Sequence, residues 1–263
     1  MIYLRTLQKG DTLMQVELSI KQQLIDYLKE IRLPTVRNYY EEAARIAESG
    51  SFSYEQYLHE IVSKEVETRR NNRTTNLLRE SKIEFTKTLK SFELSRLPQK
   101  VKTQVSVLIE GNFVKNKENV LLFGNPGTGK THLLSALGFE LIHRGHRIYF
   151  TTCAALVQDL LRAKQELRSS RFLKKLMKYQ PIIIDDIGYV QHGREEMEVL
   201  FTFFAERYEH ASVMISSNLP FSKWDQIFKD TTTTAAAIDR LVHHSVILEL
   251  NIPSYRMEEA KKS

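Results

Sequence analysis

The chain has 263 residues and a mass of 30.7 kDa, which is enough for one large domain and one small one. A hydrophobic fraction of 42% supports a packed core. The chain has 38 Lys and Arg against 32 Asp and Glu, and the resulting formal charge of +6 is compatible with a polyanionic partner. One cysteine, Cys153, excludes an internal disulfide framework and fits a reducing, cytoplasmic compartment. No apolar run is long enough to span a bilayer, so no membrane partner is expected.

The N-terminal part of the chain is predicted to be helical. Residues 1–13 show a poorer helical pattern and are expected to form a loose tail. Apolar residues then recur at helical spacing until Pro34 ends the run. Further on, Ser53 and Gln56 have the spacing of a capping box, which predicts the start of a long helix. We therefore expect a small all-helical domain over residues 1–65.

A charged lead-in helix is predicted over residues 66–100, because the chain has no glycine or proline from Phe52 to Leu97. We assign this helix to the second domain, residues 66–263. Four of its arginines could contact DNA, but neighbouring glutamates make a helix with i,i+4 ion pairs an equally good interpretation. These arginines are Arg69, Arg70, Arg73 and Arg79.

From about Asn119 the sequence pattern changes, and short runs of β-branched residues alternate with helical segments. Strands are predicted at Asn119–Phe123, Arg147–Thr152, Pro181–Asp185, Ser212–Ser216 and Ser245–Leu250. Helices are predicted between them at Thr131–Arg144, Ala154–Tyr179 and Arg194–Tyr208. The expected fold class is α/β, with a five-stranded parallel sheet behind the helical N-terminal domain.

A phosphate loop is predicted directly after the first strand. Its residues fit G-x-x-x-x-G-K-[ST] completely and are Gly124, Asn125, Pro126, Gly127, Thr128, Gly129, Lys130 and Thr131. The glycines allow backbone N–H groups to point at phosphate oxygens, and the following helix adds the positive end of its dipole. Lys130 can reach the β- and γ-phosphates, and Thr131 can ligate Mg²⁺. We therefore expect a binding site for ATP and Mg²⁺.

Two further strands end in polar side chains that suit phosphate chemistry. Asp185 and Asp186 end the third strand, where Asp185 would hold Mg²⁺ and Asp186 would orient or deprotonate the attacking water. A helix N-cap is the structural alternative for these acids. Asn218 follows the fourth strand at the place of a γ-phosphate sensor, although a plain turn is also possible. Arg240 and Arg256 lie later in the domain and suit phosphate charge, with a solvated surface position as the usual alternative.

A basic run between the second and third strands is the candidate DNA-binding segment. Seven basic residues fall within 17 positions, with only Glu166 opposing them: Arg162, Lys164, Arg168, Arg171, Lys174, Lys175 and Lys178. Contacts to phosphates would be largely independent of sequence and sensitive to salt. A solvated basic helix face is the alternative.

The stretch Leu121–Arg256 resembles the ATPase domain of the IstB-like insertion-sequence helper proteins, which belong to the AAA+ clade with DnaC-type helicase loaders and DnaA-type initiators. The segments that carry the resemblance are GNPGTGKTH, IDDIGY, SNLPFSKW, DRLVHH and SYR. Similarity extends over roughly residues 65–258, and the helical start of the chain is compatible with it.

The resemblance implies that Asn218 is the first sensor and Arg256 the second, and that Arg240 is a finger completing a neighbouring subunit's site. Hydrolysis would then require a homo-oligomer. Many AAA+ proteins have Glu where Asp186 stands, and the shorter side chain leaves its role as base and a fast turnover less certain.

The function expected from the resemblance is that of an ATP-dependent transposition helper. It would assemble on duplex DNA in the ATP state and recruit or stimulate a cognate transposase at the target, with hydrolysis as a slow, assembly- and DNA-dependent switch. The first alternative is a DnaC-like replicative helicase loader. A small-molecule kinase and a DNA-binding scaffold that never hydrolyses its ATP are the others.

Overall fold

The computed structural model describes residues 19–188, 193–226 and 238–259. The chain forms two compact units, and it passes from the first to the second between Arg73 and Thr74. The domain limits of 1–65 and 66–263 remain predictions, and the expected tail, 1–13, lies outside the described residues. No helix in the described ranges is both long and apolar enough to cross a membrane.

The first unit is helical. Its elements are α1 (19–30), α2 (Pro34–Ser49) and the first part of α3 (Tyr54–Ser81). Its small core consists of Leu28, Val36, Ala43 and Ile61, with partly buried tyrosines, including Tyr39 and Tyr40, around it. The predicted capping box is confirmed, because the Ser53 amide donates to Gln56 Oε1 at 2.8 Å and the Gln56 amide donates to Ser53 Oγ at 3.2 Å.

The lead-in helix predicted to reach residue 100 ends at Ser81, so that prediction was wrong for residues 82–98. Lys82 adopts a left-handed φ of 59°, and the Ser81 hydroxyl bonds the Leu78 carbonyl and the Ile83 amide. Beyond it, hydroxyls such as that of Ser91 bond nearby backbone groups and compete with helix formation. Only the 3₁₀ turn Leu94–Arg96 is helical before Pro98.

The second unit is built on the predicted five-stranded, entirely parallel sheet. Its strand order is β2-β3-β4-β1-β5. The strands are β1 (Asn119–Gly124), β2 (Tyr149–Thr152), β3 (Ile182–Asp185), β4 (Val213–Ser217) and β5 (Ser245–Leu250). The helices are α4 (Gln99–Ile109), α5 (Asn112–Lys115), α6 (Lys130–His143), α7 (Cys153–Gln165), α8 (Ser169–Leu176), α9 (Arg194–Arg207), α10 (238–242) and α11 (Tyr255–Glu259). The 3₁₀ helix Phe221–Gln226 follows β4.

Helices cover both faces of this sheet, so its central strands are apolar on both sides. In β3, Ile182 and Ile184 join the core under α7 and α9, whereas Ile183 joins the core under α4 and α6. Trp224 is fully buried in the first of these cores, and its indole N–H donates to the Leu219 carbonyl at 3.0 Å.

The helix predicted over Ala154–Tyr179 is in fact broken into α7 and α8, which corrects that prediction. Leu167 has a left-handed φ of 54°, and the Arg168 amide returns to the Ala163 carbonyl at 2.8 Å. This is the hydrogen-bond pattern of a Schellman ending, with a leucine where glycine is usual. The break lets α8 take a direction of its own relative to α7.

Candidate nucleotide site

The phosphate loop connects β1 to the first residue of α6. Gly127 and Gly129 have left-handed φ values of 81° and 89°, which glycine adopts without strain. A Cβ at Gly127 would lie 2.1 Å from Ser254 Oγ, so only glycine allows the chain after β5 to approach this closely. Lys130 is buried and donates to the carbonyls of Gly124 at 2.8 Å and of Asn125 at 3.1 Å. Its ammonium is therefore held over the loop at the positive end of α6.

The hydroxyl of Thr131 and the carboxylate of Asp185 lie side by side, although 54 residues separate them in the chain. Thr131 Oγ1 donates to both Asp185 oxygens, at 3.1 and 2.9 Å, and Ser216 Oγ donates to one of them at 2.5 Å. Asp185 is 5% exposed. Hard oxygen donors beside a phosphate loop are the donor set that Mg²⁺ prefers, so these residues fit the predicted metal site.

Asp186 and Asn218 lie at the same edge of the sheet, because parallel strands end at a common edge. Both line one cavity of about 480 Å³ together with phosphate-loop residues Pro126 to Thr131. Asp186 has a left-handed φ of 58°, and its amide donates to Ser216 Oγ at 2.9 Å. The buried Oδ1 of Asn218 has no hydrogen-bond partner among the described residues. A buried acceptor left unpaired in this way is one that a bound ligand, ion or water can satisfy.

The other wall of the cavity comes from residues that the sequence analysis missed. They are Lys87, Ser91, Phe92, Glu93, Arg96, His132, Ile252 and Tyr255. His132 holds the irregular segment in place, since its Nε2 lies 3.2 Å from Ser91 Oγ and 3.1 Å from the Thr88 carbonyl. Phe92 packs edge-on against the His132 ring, with the centroids 5.2 Å apart. This wall thus combines charged and polar side chains with the rings of Phe92 and Tyr255 and with Ile252.

Arg96 joins that wall to the C-terminal part of the domain. Its guanidinium donates to Glu258 at 2.8 Å and to the Pro253 carbonyl at 3.2 Å, and it lies over the Tyr255 ring at 5.3 Å. The Tyr255 amide donates to the Gly127 carbonyl at 3.0 Å, so α11 begins against the phosphate loop. Arg256 is the next residue of α11, but its side chain lies outside the described part of the structure.

Arg240 is not brought to this cavity. The carbonyl of the neighbouring Leu241 accepts a hydrogen bond from Asn119 Nδ2 at 3.1 Å, which fixes α10 beside the first residue of β1. The phosphate loop, in contrast, follows the last residue of β1. The length of β1 puts roughly 16 Å between those two ends. Arg240 is exposed there, near Tyr208 and Lys117. The distance is too great for Arg240 to reach the phosphates of its own subunit.

The predicted DNA-binding set divides into two groups. Six of its members line a second, basic groove at the β2 edge of the sheet: Arg162, Arg168, Arg171, Lys174, Lys175 and Lys178. Lys164 does not line it and pairs instead with Glu198 of α9 at 3.1 Å. In the lead-in arginine group, Arg69 pairs with Glu65 at 2.7 Å, which is an i,i+4 ion pair of the alternative kind.

These features define a phosphate-loop nucleotide-binding domain of the AAA+ type. They are a parallel sheet, a phosphate loop after β1, an acidic pair at the end of β3 and a polar sensor position after β4. The chain belongs to the IstB-like ATP binding protein family, whose sequence model matches residues 26–263.

Similar proteins of known name agree with this membership. An insertion sequence ATP-binding protein of Sinorhizobium fredii is 38% identical over 237 residues, which cover 90% of this chain and 80% of that protein. The ATP-binding protein of insertion sequence IS21 from Pseudomonas aeruginosa is 34% identical, with 90% and 89% covered. That of IS5376 from Geobacillus stearothermophilus is 33% identical, with 92% and 96% covered.

Solved structures share the fold. AMPPCP-bound DnaA from Aquifex aeolicus superposes with a TM-score of 0.56 at 18% identity, covering 70% of this chain and 57% of that one. The DnaC helicase loader superposes with a TM-score of 0.52 at 18% identity, covering 64% of this chain and 98% of that one. At such identities the likeness concerns architecture alone.

Proposed function

We propose that the chain is an ATP-dependent transposition helper. In the ATP state it assembles on duplex DNA and recruits or stimulates a transposase at the target, and hydrolysis resets it. This proposal rests on one observation: the residues predicted to act in hydrolysis lie in two separate places. The cavity holds the phosphate loop, Asp186 and Asn218, whereas Arg240 lies exposed at the far end of β1. An arginine in that position lies out of reach of its own subunit's phosphates, which supports a finger supplied to a neighbouring subunit, so that hydrolysis would depend on assembly.

Within one subunit, Lys130 and the backbone amides of the loop bind the β- and γ-phosphates. Thr131 and Asp185 would hold Mg²⁺, which when bound offsets the negative charge of those phosphates. Asp186 orients the attacking water, and the Asn218 amide contacts the γ-phosphate or that water. Arg240 of the next subunit and Arg256 of the same one stabilise charge that develops in the transition state.

Three features support a slow, regulated ATPase. Asp186 is one methylene shorter than glutamate, so its carboxylate reaches less far into the cavity. Hydrolysis needs a neighbour to supply Arg240. The basic groove also offers DNA a means to gather subunits side by side. The helicase-loader alternative rests on a likeness of fold alone, whereas the curated relatives at 33–38% identity are named insertion sequence proteins.

A mixing experiment tests the shared site. Asp186→Asn loses the group that orients the attacking water but keeps ATP binding and the finger, and Arg240→Ala loses the finger but keeps the phosphate site and Asp186. We expect each variant alone to release no phosphate above background and the mixture of the two to regain DNA-dependent phosphate release. A mixture as inactive as its components, with both variants folded and still assembling, would contradict a finger supplied in trans.

The same assay separates the other two functions. Turnover by a helper rises with protein concentration and with duplex DNA, whereas turnover by a kinase requires a small acceptor molecule. Asp186→Asn is expected to bind ATP normally and to lose phosphate release. If wild type and Asp186→Asn both released no phosphate while DNA bound and subunits assembled, the nucleotide would be structural and the chain a scaffold.

A further inference from the structure

The excess positive charge of the chain is concentrated in the basic groove at the β2 edge. The groove measures about 850 Å³ and is lined by eight basic residues, the six named above together with Lys82 and Arg147. Asp159 and Glu166 are its acidic members, which leaves a net +6. The formal charge of the whole chain is also +6, so the remaining 30 basic and 30 acidic residues cancel. A charge distribution this uneven is the electrostatic footprint of a polyanion site.

Lys82 and Arg147 come from outside the basic run and are fixed by aromatic side chains. Lys82 Nζ donates to the Tyr149 hydroxyl at 3.1 Å and lies 5.1 Å from the centre of that ring. The guanidinium of Arg147 lies 5.0 Å from the centre of the Tyr179 ring. The two rings are themselves 5.1 Å apart. Two cations are therefore held at set positions before any ligand arrives, which lowers the entropy lost on binding.

Neutralisation within the groove is incomplete. Arg147 pairs with Glu80 at 2.7 Å, and Arg168 pairs with Glu166. The hydrogen bond to Tyr149 raises the pKa of Lys82, so this ammonium stays charged at neutral pH. Both ion pairs are solvent-exposed, and pairs of that kind are weak enough to exchange partners with a phosphate.

The aromatic rings also indicate which part of a nucleic acid the groove receives. Arg147 lies over the Tyr179 ring, Tyr179 is only 8% exposed, and the Tyr149 and Tyr179 rings pack against each other with their centres 5.1 Å apart. These ring faces are not open for a base to stack on, as single-strand binding sites require. Cations without an open stacking platform bind the phosphate backbone, which carries no sequence information.

We propose that this groove binds the phosphodiester backbone of duplex DNA between two walls, α7 and α8 on one side and Lys82 with Arg147 on the other. The inference rests on the proposed function for the identity of its polyanion. It adds residues outside the basic run to the contact surface and excludes Lys164 from it. The groove and the nucleotide cavity share no lining residue among those the structure describes, so the two sites can be perturbed separately.

The test measures binding of the full-length, ATP-loaded protein to a random-sequence duplex by fluorescence anisotropy at several salt concentrations. Each phosphate contact contributes about 0.9 to the slope of log K against log salt. The double variant Lys82→Gln with Arg147→Gln is expected to bind more weakly and to lose about 1–2 units of slope. Lys164→Gln is the matched control on α7 and is expected to keep the wild-type slope. A double variant with wild-type affinity and slope, or an equal loss in Lys164→Gln, would overturn the inference.

A second variant tests the groove by gain of binding, which misfolding cannot produce. Asp159→Asn with Glu166→Gln removes both acids from the lining, and we expect tighter DNA binding at unchanged ATP affinity. Unchanged or weaker binding in this variant would contradict the groove as the contact surface. If the wild type bound no duplex at any salt concentration, the proposed function itself would fail. If the wild type bound duplex DNA and the groove variants bound it equally well, only the groove inference would fail.

Discussion

Gly188 allows Asn218 to occupy its place in the cavity, and a single methyl group there tests the role proposed for that side chain. A Cβ built at Gly188 would lie 2.3 Å from Asn218 Oδ1, whereas ordinary van der Waals contact begins at 3.4 Å. Gly188→Ala therefore has to displace the Asn218 amide by about 1 Å. A misplacement of that size at a reacting centre costs on the order of 100-fold in rate. We expect kcat to fall roughly 10- to 100-fold, or about 1.4–2.7 kcal/mol in the activation barrier.

The assay is steady-state phosphate release with saturating ATP and duplex DNA, accompanied by ATP affinity from a fluorescent analogue. Affinity is expected to stay near wild type, because the phosphate loop is untouched. Gly193→Ala is the control, since a Cβ there meets its nearest atom, Glu196 Oε2, at 3.8 Å. In an Asn218→Ala background the added Gly188→Ala should cost nothing further. A Gly188→Ala enzyme with normal kcat, or an equal loss in both backgrounds, would refute the reasoning.

Three other predictions follow from contacts outside the motifs. His132→Ala removes the group that bonds Ser91 and Thr88, so we expect ATP affinity to fall several-fold in equilibrium titration, and an unchanged affinity would show that this wall is dispensable. Buried Arg207 donates to three backbone carbonyls, at 2.6, 3.0 and 3.2 Å. In urea titration Arg207→Met is therefore expected to lower the free energy of unfolding by about 3 kcal/mol, whereas the same change at an exposed arginine should lower it by less than about 0.5 kcal/mol. Burial raises the pKa of the Cys153 thiol to about 12, so only about one molecule in ten thousand is thiolate at pH 8. Mass spectrometry should therefore find the native protein unmodified by iodoacetamide when the urea-unfolded chain is fully alkylated.

The sheet and the phosphate site were predictable because their signals are local. Five apolar, β-branched runs each gave a strand within two residues of its observed ends, and the parallel order brought Asp186 and Asn218 to the phosphate loop as expected. Parallel strands end at one edge of a sheet, so residues that follow different strands can be placed together without knowledge of the loops. Lys130 then needs only local geometry to reach its partners, whereas the common edge of the sheet brings Asp185 to Thr131 and Ser216.

Two helix ends were not predictable for a common reason. Glycine is the usual left-handed residue at the end of a helix, and neither predicted helix contains a glycine that would indicate an end. At the end of α3 that conformation is adopted by Lys82, and at the end of α7 it is adopted by Leu167. At the first of these turns tertiary packing offsets the strain, since Ile83, directly after Lys82, is buried in the core.

The missed wall of the nucleotide cavity is a consequence of the first of those errors. A continuous helix over 66–100 would have kept Ser91, Phe92 and Arg96 on a regular helix, with no reason to expect them at the phosphate loop. The hydroxyl-rich sequence around Ser91 was the available signal, because such residues bond their own backbone and disfavour helix interiors. Lys82 and Arg147 carried no such signal, since only the fold brings them beside α8.

The central claim is that bound ATP and DNA drive subunits together so that each completes its neighbour's site. Multi-angle light scattering of the full-length protein, alone and with a slowly hydrolysed ATP analogue, duplex DNA or both, measures this most directly. We expect the protein mass in the complex, after the mass of the duplex is subtracted, to rise to a multiple of 30.7 kDa with nucleotide and DNA together. Arg240→Ala is expected to assemble while remaining inactive. A protein that stays at the monomer mass under every one of these conditions would contradict the claim.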